Sequence, residues 1–134
     1  MVSPELLRRY PFFGDLSMEQ IVLLAKMAQD MTLGPGEFFF HEEDEMDNFY
    51  LVLEGEVAIV IEIPEKHRNV IVNIVRVGDV FGWSGLVPPY VATATAKAHT
   101  RCRVVSFDCT TLRDVFAEDT DFGYVMALRV AQVA

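Results

Sequence analysis

Cysteine is scarce in this chain of 134 residues: there are two, Cys102 and Cys109, and none earlier. Their spacing is not C-x-x-C, and no histidine cluster accompanies them, which argues against a zinc ribbon or a redox motif. Two buried free thiols are expected instead, and they suit a reducing cytosol. Basic residues are also few, 11 against 20 acidic ones, for a net charge of −9. Nucleic-acid affinity rests largely on neutralising phosphates, so binding of nucleic acid by this chain alone is not expected. No apolar run approaches the 18 or so residues of a membrane span. The N-terminus (Met1-Val2-Ser3-Pro4-Glu5-Leu6) lacks the basic and apolar regions of a signal peptide. A cytoplasmic location follows as an expectation. No internal repeat or low-complexity tract is visible.

What is present is a globular composition: 51% hydrophobic residues, with ten Phe and six Met. A chain of this size buries roughly two-thirds of its unfolded surface, enough to fold as one domain over residues 1–134 without disulfide or metal. Ser17-Met18-Glu19-Gln20 reads as a capping box, with Leu16 and Ile21 as its hydrophobic staple. Ile21, Leu24, Ala25 and Ala28 continue at helical spacing. Pro11 breaks the apolar Tyr10–Phe13 segment, which is expected to pack a short N-terminal helix onto the domain. Residues 1–33 are therefore expected to be helical. Gly34-Pro35-Gly36 ends that segment with a type II turn.

Strand signals follow over residues 34–107. They are Phe38–Phe40, Phe49–Leu53, Val57–Ile63 and Val70–Val77, with Pro64–Asn69 as a charged loop. Gly55 between the second and third predicts a hairpin. From Ala92 to Val104 polar and small residues alternate. The pattern predicts one half-buried strand with Thr93, Thr95, Lys97, His99, Arg101 and Arg103 facing water. Helical periodicity returns over 108–134. Asp108 or Thr110 can cap a helix through Ala117. Phe122, Met126, Val130 and Val133 then line one face of a final helix, with Val125 and Leu128 on others. A helix so widely apolar calls for two partners, of which one is this domain's sheet and the second can be another subunit. Phe122, Met126 and Val130 are the candidate surface of a homodimer. No stop signal precedes Ala134, so the expectation is that either a short tail or a longer helix, with or without another domain, has been cut away. The whole predicts a mainly β fold: a jelly roll, or double-stranded β-helix, of about eight antiparallel strands with flanking helices.

Five segments, in order and at consistent spacing over residues 6–130, resemble the cyclic-nucleotide-binding domain family, of the kind found in catabolite-activator-like regulators. They are Phe12-Phe13-Gly14-Asp15-Leu16-Ser17, Gly36-Glu37-Phe38-Phe39-Phe40, Phe49–Val57 with its Tyr50 and Gly55, Gly78-Asp79-Val80-Phe81-Gly82, and the segment that follows. The resemblance implies a regulatory domain without catalysis or cofactor. Its ligand would be a cyclic nucleotide or another small anion held inside the roll by a phosphate-binding cassette, here Phe81 to Thr93. Helix N-termini with free N–H groups bind anions in general. The implied pocket residues are Phe81, Gly82, Trp83, Ser84, Gly85, Tyr90, Val91, Ala92 and Thr93.

Two departures stand out. Trp83 occupies the place of the family's ribose-gripping Glu, and Tyr90 or Val91 that of its phosphate-pairing Arg. Tight binding of cyclic AMP is not expected. Glu43 also replaces a turn Gly. Trp83 either packs on Pro88 and Pro89 to close the pocket or forms a platform for a flat ligand. Tyr90 is a wall or a hydroxyl donor, and Ser84 a cap or a phosphate donor.

Three functions compete: a ligand sensor, an interaction or dimerisation module with a self-filled pocket, and, remotely, a cupin-type enzyme. The last needs clustered metal ligands, whereas His41, His67 and His99 fall in separate segments. Because no cysteine precedes Cys102, the iron–sulfur branch of the superfamily is excluded.

Overall fold

A computed structural model describes residues 1–133. Helix α1 (Pro4–Arg8), a 3-10 turn (Pro11–Phe13) and α2 (Met18–Met27) come first. Eight strands follow: β1 (Gln29–Leu33), β2 (Phe38–Phe40), β3 (Asn48–Glu54), β4 (Val57–Ile63), β5 (Arg68–Val75), β6 (Val80–Phe81), β7 (Thr95–Ala98) and β8 (Cys102–Asp108). Helices α3 (Cys109–Glu118) and α4 (Thr120–Val133) end the described chain, and Ala134 lies outside it. The strands form two antiparallel four-stranded sheets, ordered β1-β8-β3-β6 and β2-β7-β4-β5. This is the expected jelly roll.

Strand β3 shows why the roll holds together. Phe49, Leu51 and Leu53 point to one side and pack with Phe12, Phe13, Ile21, Leu112 and Phe122 of the helical segments. Tyr50 and Val52 point the other way, into the lumen between the sheets, with Val57, Phe81, Ala96 and Val104. A strand buried on both faces reads as an unbroken apolar run, as this one does. The predicted caps form: Ser17 and Gln20 make a reciprocal capping box, and the Asp108 carboxylate accepts from Thr111 N–H at 3.1 Å. Both thiols are buried and free.

Four expectations are corrected. Strands β3 and β4 are not a hairpin; they belong to different sheets, and Gly55 marks the crossover. Gly55 has φ +85°, and a Cβ there would lie 2.1 Å from the Arg101 carbonyl oxygen, so the site requires glycine. The hairpin is β4–β5, running from Val57↔Val75 to Ile63↔Arg68 around Pro64–His67. Second, residues 29–33 are not helical. The chain turns extended at Ala28 (ψ 143°) and β1 pairs with β8, Gln29 opposite Ser106.

Third, the alternating stretch Ala92–Val104 is two strands in different sheets, broken at residues 99–101. His99 is exposed as expected, but Thr95 is fully buried. The loop after β2 covers it: its hydroxyl accepts from Glu42 N–H (2.9 Å) and donates to Glu62 (3.1 Å). Fourth, Phe122, Met126 and Val130 are not a free interface. They are 1%, 1% and 6% exposed because the back of the first sheet and the N-terminal helices supply the partner their face needs. The large apolar side chains that α4 exposes are Tyr124, Leu128 and Val133.

Candidate functional site

The cassette begins where β6 ends. Gly82 has φ +77°, and a Cβ there would meet Met46 and Tyr50 at 3.2 Å. A single 3-10 turn, Trp83–Leu86, follows. Gly85 is buried behind it: a Cβ there would lie 2.7 Å from Cys109 Sγ and 3.1 Å from the Met46 carbonyl oxygen. Its smallness serves the chain's own packing, not the approach of a ligand. Two amides of the turn are already used, Gly85 N–H on the Gly82 carbonyl (3.2 Å) and Val87 N–H on Ser84 (3.1 Å). After a cis Pro88–Pro89 bond the chain is laced to the loop before β3. Met46 N–H donates to Tyr90 O, Ala92 N–H to Asp44 O and Glu43 N–H to Ala92 O, each at 2.9 Å.

This lacing divides the candidate residues. Phe81, Gly82, Trp83, Ser84 and Thr93 line one open cleft of about 260 Å3 at the edge of the lumen. Phe40 of β2, Ile59 of β4, Asn73 and Val75 of β5, Val80 of β6, Ala94, and Val133 of α4 complete its walls. Ala92 is buried beside the cleft and does not line it. Tyr90 and Val91 line a different depression, with Pro89, Glu45, Asp47 and Arg113. There the Arg113 guanidinium sits 4.0 Å from the centroid of the Tyr90 ring. It also donates to the Cys109 carbonyl (3.3 Å) and the Met46 carbonyl (3.4 Å). Tyr90, in the left-handed region at φ +63°, is thus pinned to α3 and is neither a wall of the cleft nor a donor into it.

Every side chain lining the cleft is uncharged at neutral pH. Its polar groups are the Asn73 amide and the Ser84 and Thr93 hydroxyls. A neighbouring groove of about 520 Å3 shares Asn73, Val75, Val80 and Val133 and contains Arg129. That guanidinium is already committed to the carbonyls of Pro11 and Phe12, to Asp15 and to Gln132. Aromatic rings fill the lumen behind the cleft. Tyr50 stacks on Phe81 at 4.9 Å, and Phe39 meets both at 5.4 and 5.0 Å. Burial, with Cys109 and Asp47 nearby, raises the Tyr50 phenol above its usual range. Trp83 packs partly on the helix-side core and also lines the cleft.

The histidines are dispersed. His67 lies in the β4–β5 turn, and His99 is on the surface. His41 Nδ1 donates to Glu62 Oε1 at 2.9 Å. That bond, followed by the Thr95 hydroxyl, holds the Glu62 carboxyl below its usual range. Among the described residues no three metal-ligating side chains converge, and no helix is long and apolar enough to cross a membrane.

Asn73, Ile59 and Phe40 are among the cleft residues that motif reading missed. Ile59 and Asn73 are register partners, so they share a face of the sheet, a relation visible only once β4 and β5 are paired.

The model of the cyclic nucleotide-binding domain matches residues 31–119. The chain belongs to that family. Among solved structures, one of a protein from Geobacter metallireducens GS-15, described as a cyclic nucleotide-binding protein, has a TM-score of 0.89. The two are 33% identical, and the match covers 98% of this chain and 95% of that one. The N-terminal domain of a transcriptional regulator from Streptomyces coelicolor A3(2) gives 0.76 at 28% identity, covering 95% and 88%. The CRP-like cAMP-activated global transcriptional regulator of Mycobacterium tuberculosis is 29% identical over 114 residues, 85% of this chain and 50% of that protein. The cAMP-dependent protein kinase regulatory subunit of Schizosaccharomyces pombe is 27% identical over 121 residues, 90% of this chain and 28% of its own length. The chain therefore spans half or less of these curated relatives. Membership of the cyclic nucleotide-binding family, with regulators as relatives, supports a regulatory role.

Proposed function

We propose that this domain is a non-catalytic sensor whose cleft does not hold cyclic AMP tightly. The observation that carries this reading is the uncharged lining of the cleft. A phosphate there lacks a charge-assisted hydrogen bond of about 1.5–3 kcal/mol, roughly ten- to a hundred-fold in affinity. The net charge of −9 adds to the deficit. A thermal-shift series with cyclic AMP, cyclic GMP and neutral heterocycles tests it. A ligand at 100 times its dissociation constant stabilises the folded state by about 2.7 kcal/mol. In a domain of this size that raises Tm by about 10 °C. A cyclic nucleotide that gives such a shift at micromolar concentration would overturn the proposal.

A second reading, an interaction module with a largely self-filled roll, draws on two observations. The cleft, at about 260 Å3, is smaller than most ligand sites, and the aromatic stack occupies the lumen behind it. Tyr124 and Leu128, 65% and 46% exposed, are the side chains through which a homodimer on the C-terminal helix would form. Loss of dimer in Tyr124→Ser/Leu128→Ser by light scattering, with no ligand response, supports this reading; a monomeric wild-type chain refutes the homodimer.

A further inference from the structure

We infer that the ligand of the cleft is an uncharged heteroaromatic of one or two rings, and that Asn73 and Trp83 select it. The inference rests on the reading of the cleft as a sensing site. Three observations converge. The first is charge: the polar groups of the lining are Asn73, Ser84 and Thr93, which hydrogen-bond neutral rings as readily as they fail to neutralise an anion. The second is size. About 260 Å3 is the bulk volume of about nine waters, at ~30 Å3 each. A single or fused ring system fits within that space.

The third is orientation. Asn73 Oδ1 accepts from Ile74 N–H at 2.9 Å. A backbone N–H bonds only to the oxygen of the amide, which settles which end is which: Nδ2, with its two hydrogens, is the end left free. Asn73 shares a sheet face with Ile59, and both line the cleft. The site thus combines an edge donor on β5 with the aromatic rings of Trp83, Phe81 and Phe40, the pairing that recognises the edge and face of a flat heterocycle.

Trp83 is the only tryptophan in the chain, so its fluorescence reports on the cleft directly. The full chain would be titrated with adenine, quinoline and cyclic AMP, following Trp83 emission and Tm together. The inference predicts saturable changes with adenine, affinity for adenine at least tenfold above that for cyclic AMP, and a tenfold or greater loss in Asn73→Leu. The Tm of ligand-free Asn73→Leu checks that the exposed strand position leaves the fold intact. Cyclic AMP binding as tightly as adenine overturns the ligand class while leaving the sensing role standing. Unchanged adenine affinity in Asn73→Leu overturns the assignment of Asn73. No response to any of the three probes overturns the inference; the sensing role falls with it only if the wider thermal-shift series of cyclic nucleotides and neutral heterocycles is flat as well.

Discussion

Replacing Gly55 by alanine tests the crossover between the two sheets most sharply. Its φ of +85° puts an alanine in the left-handed region, at about 1–2 kcal/mol. The added Cβ would also lie 2.1 Å from Arg101 O and 3.0 Å from Thr100 Oγ1. Neither neighbour yields easily, because Glu56 ties that turn down. Glu56 O accepts from His99 N–H (2.9 Å) and Cys102 Sγ–H (3.0 Å), and Glu56 N–H donates to Thr100 Oγ1 (3.0 Å). Forced repacking of this kind costs about 1–3 kcal/mol more. The sum, about 2–5 kcal/mol, corresponds to a fall in Tm of about 7–18 °C for this chain length. Gly36 is the control: its φ is also +85°, but nothing lies within 4 Å of an added Cβ. Gly36→Ala should lose only the conformational part, about 4–7 °C. Calorimetry of both variants decides. Equal losses would mean that Arg101 does not press on Gly55, and the crossover as described would be wrong.

Other outcomes follow from the titratable and stacked groups. Burial pushes the Cys109 thiol up to about 12, above its unfolded value, so the native state keeps a proton the unfolded chain sheds. Its contribution is complete below about pH 9 and is lost as pH rises towards 12; Cys109→Ala should flatten urea-unfolding stability across that window. Glu62 is shifted the other way, so its contribution is present above its usual pKa of 4.5 and disappears as pH falls below it. Glu62→Gln should lessen the acid loss of stability. Thr95→Val strips the buried hydroxyl from Glu42 N–H and Glu62 and should cost about 1–3 kcal/mol in urea titrations. Arg113→Ala removes the cover from Tyr90 and should cost about 1 kcal/mol, with amide exchange rising at Met46, whose N–H bonds to Tyr90.

The fold was legible wherever information is local. The Ser17 capping box, the Asp108 cap and the β-branched runs each carry their own signal. Pairing was not. The turn chemistry at Gly55 serves a hairpin and a crossover equally, and only the distant Arg101 carbonyl distinguishes them. Strand β1 offers two apolar residues, Met31 and Leu33, and becomes a strand by pairing with β8. Periodicity placed Phe122, Met126 and Val130 on one face but could not say that this is the face the domain's own sheet covers. In the site, Gly82, Trp83, Ser84 and Thr93 were found through the resemblance and do share the cleft. Tyr90 and Val91 were misplaced because lacing to the loop before β3 turns them away, a feature with no motif of its own. Asn73 and Ile59 depend on the β4–β5 register and were out of reach.

The most direct test of the uncharged cleft is calorimetric titration of cyclic AMP into the wild-type chain and Thr93→Arg, in which a lining hydroxyl becomes a guanidinium. The account predicts weak or undetectable binding by the wild type and a gain of roughly ten- to a hundred-fold in the variant. Tight binding by the wild type, unimproved by the arginine, would contradict it.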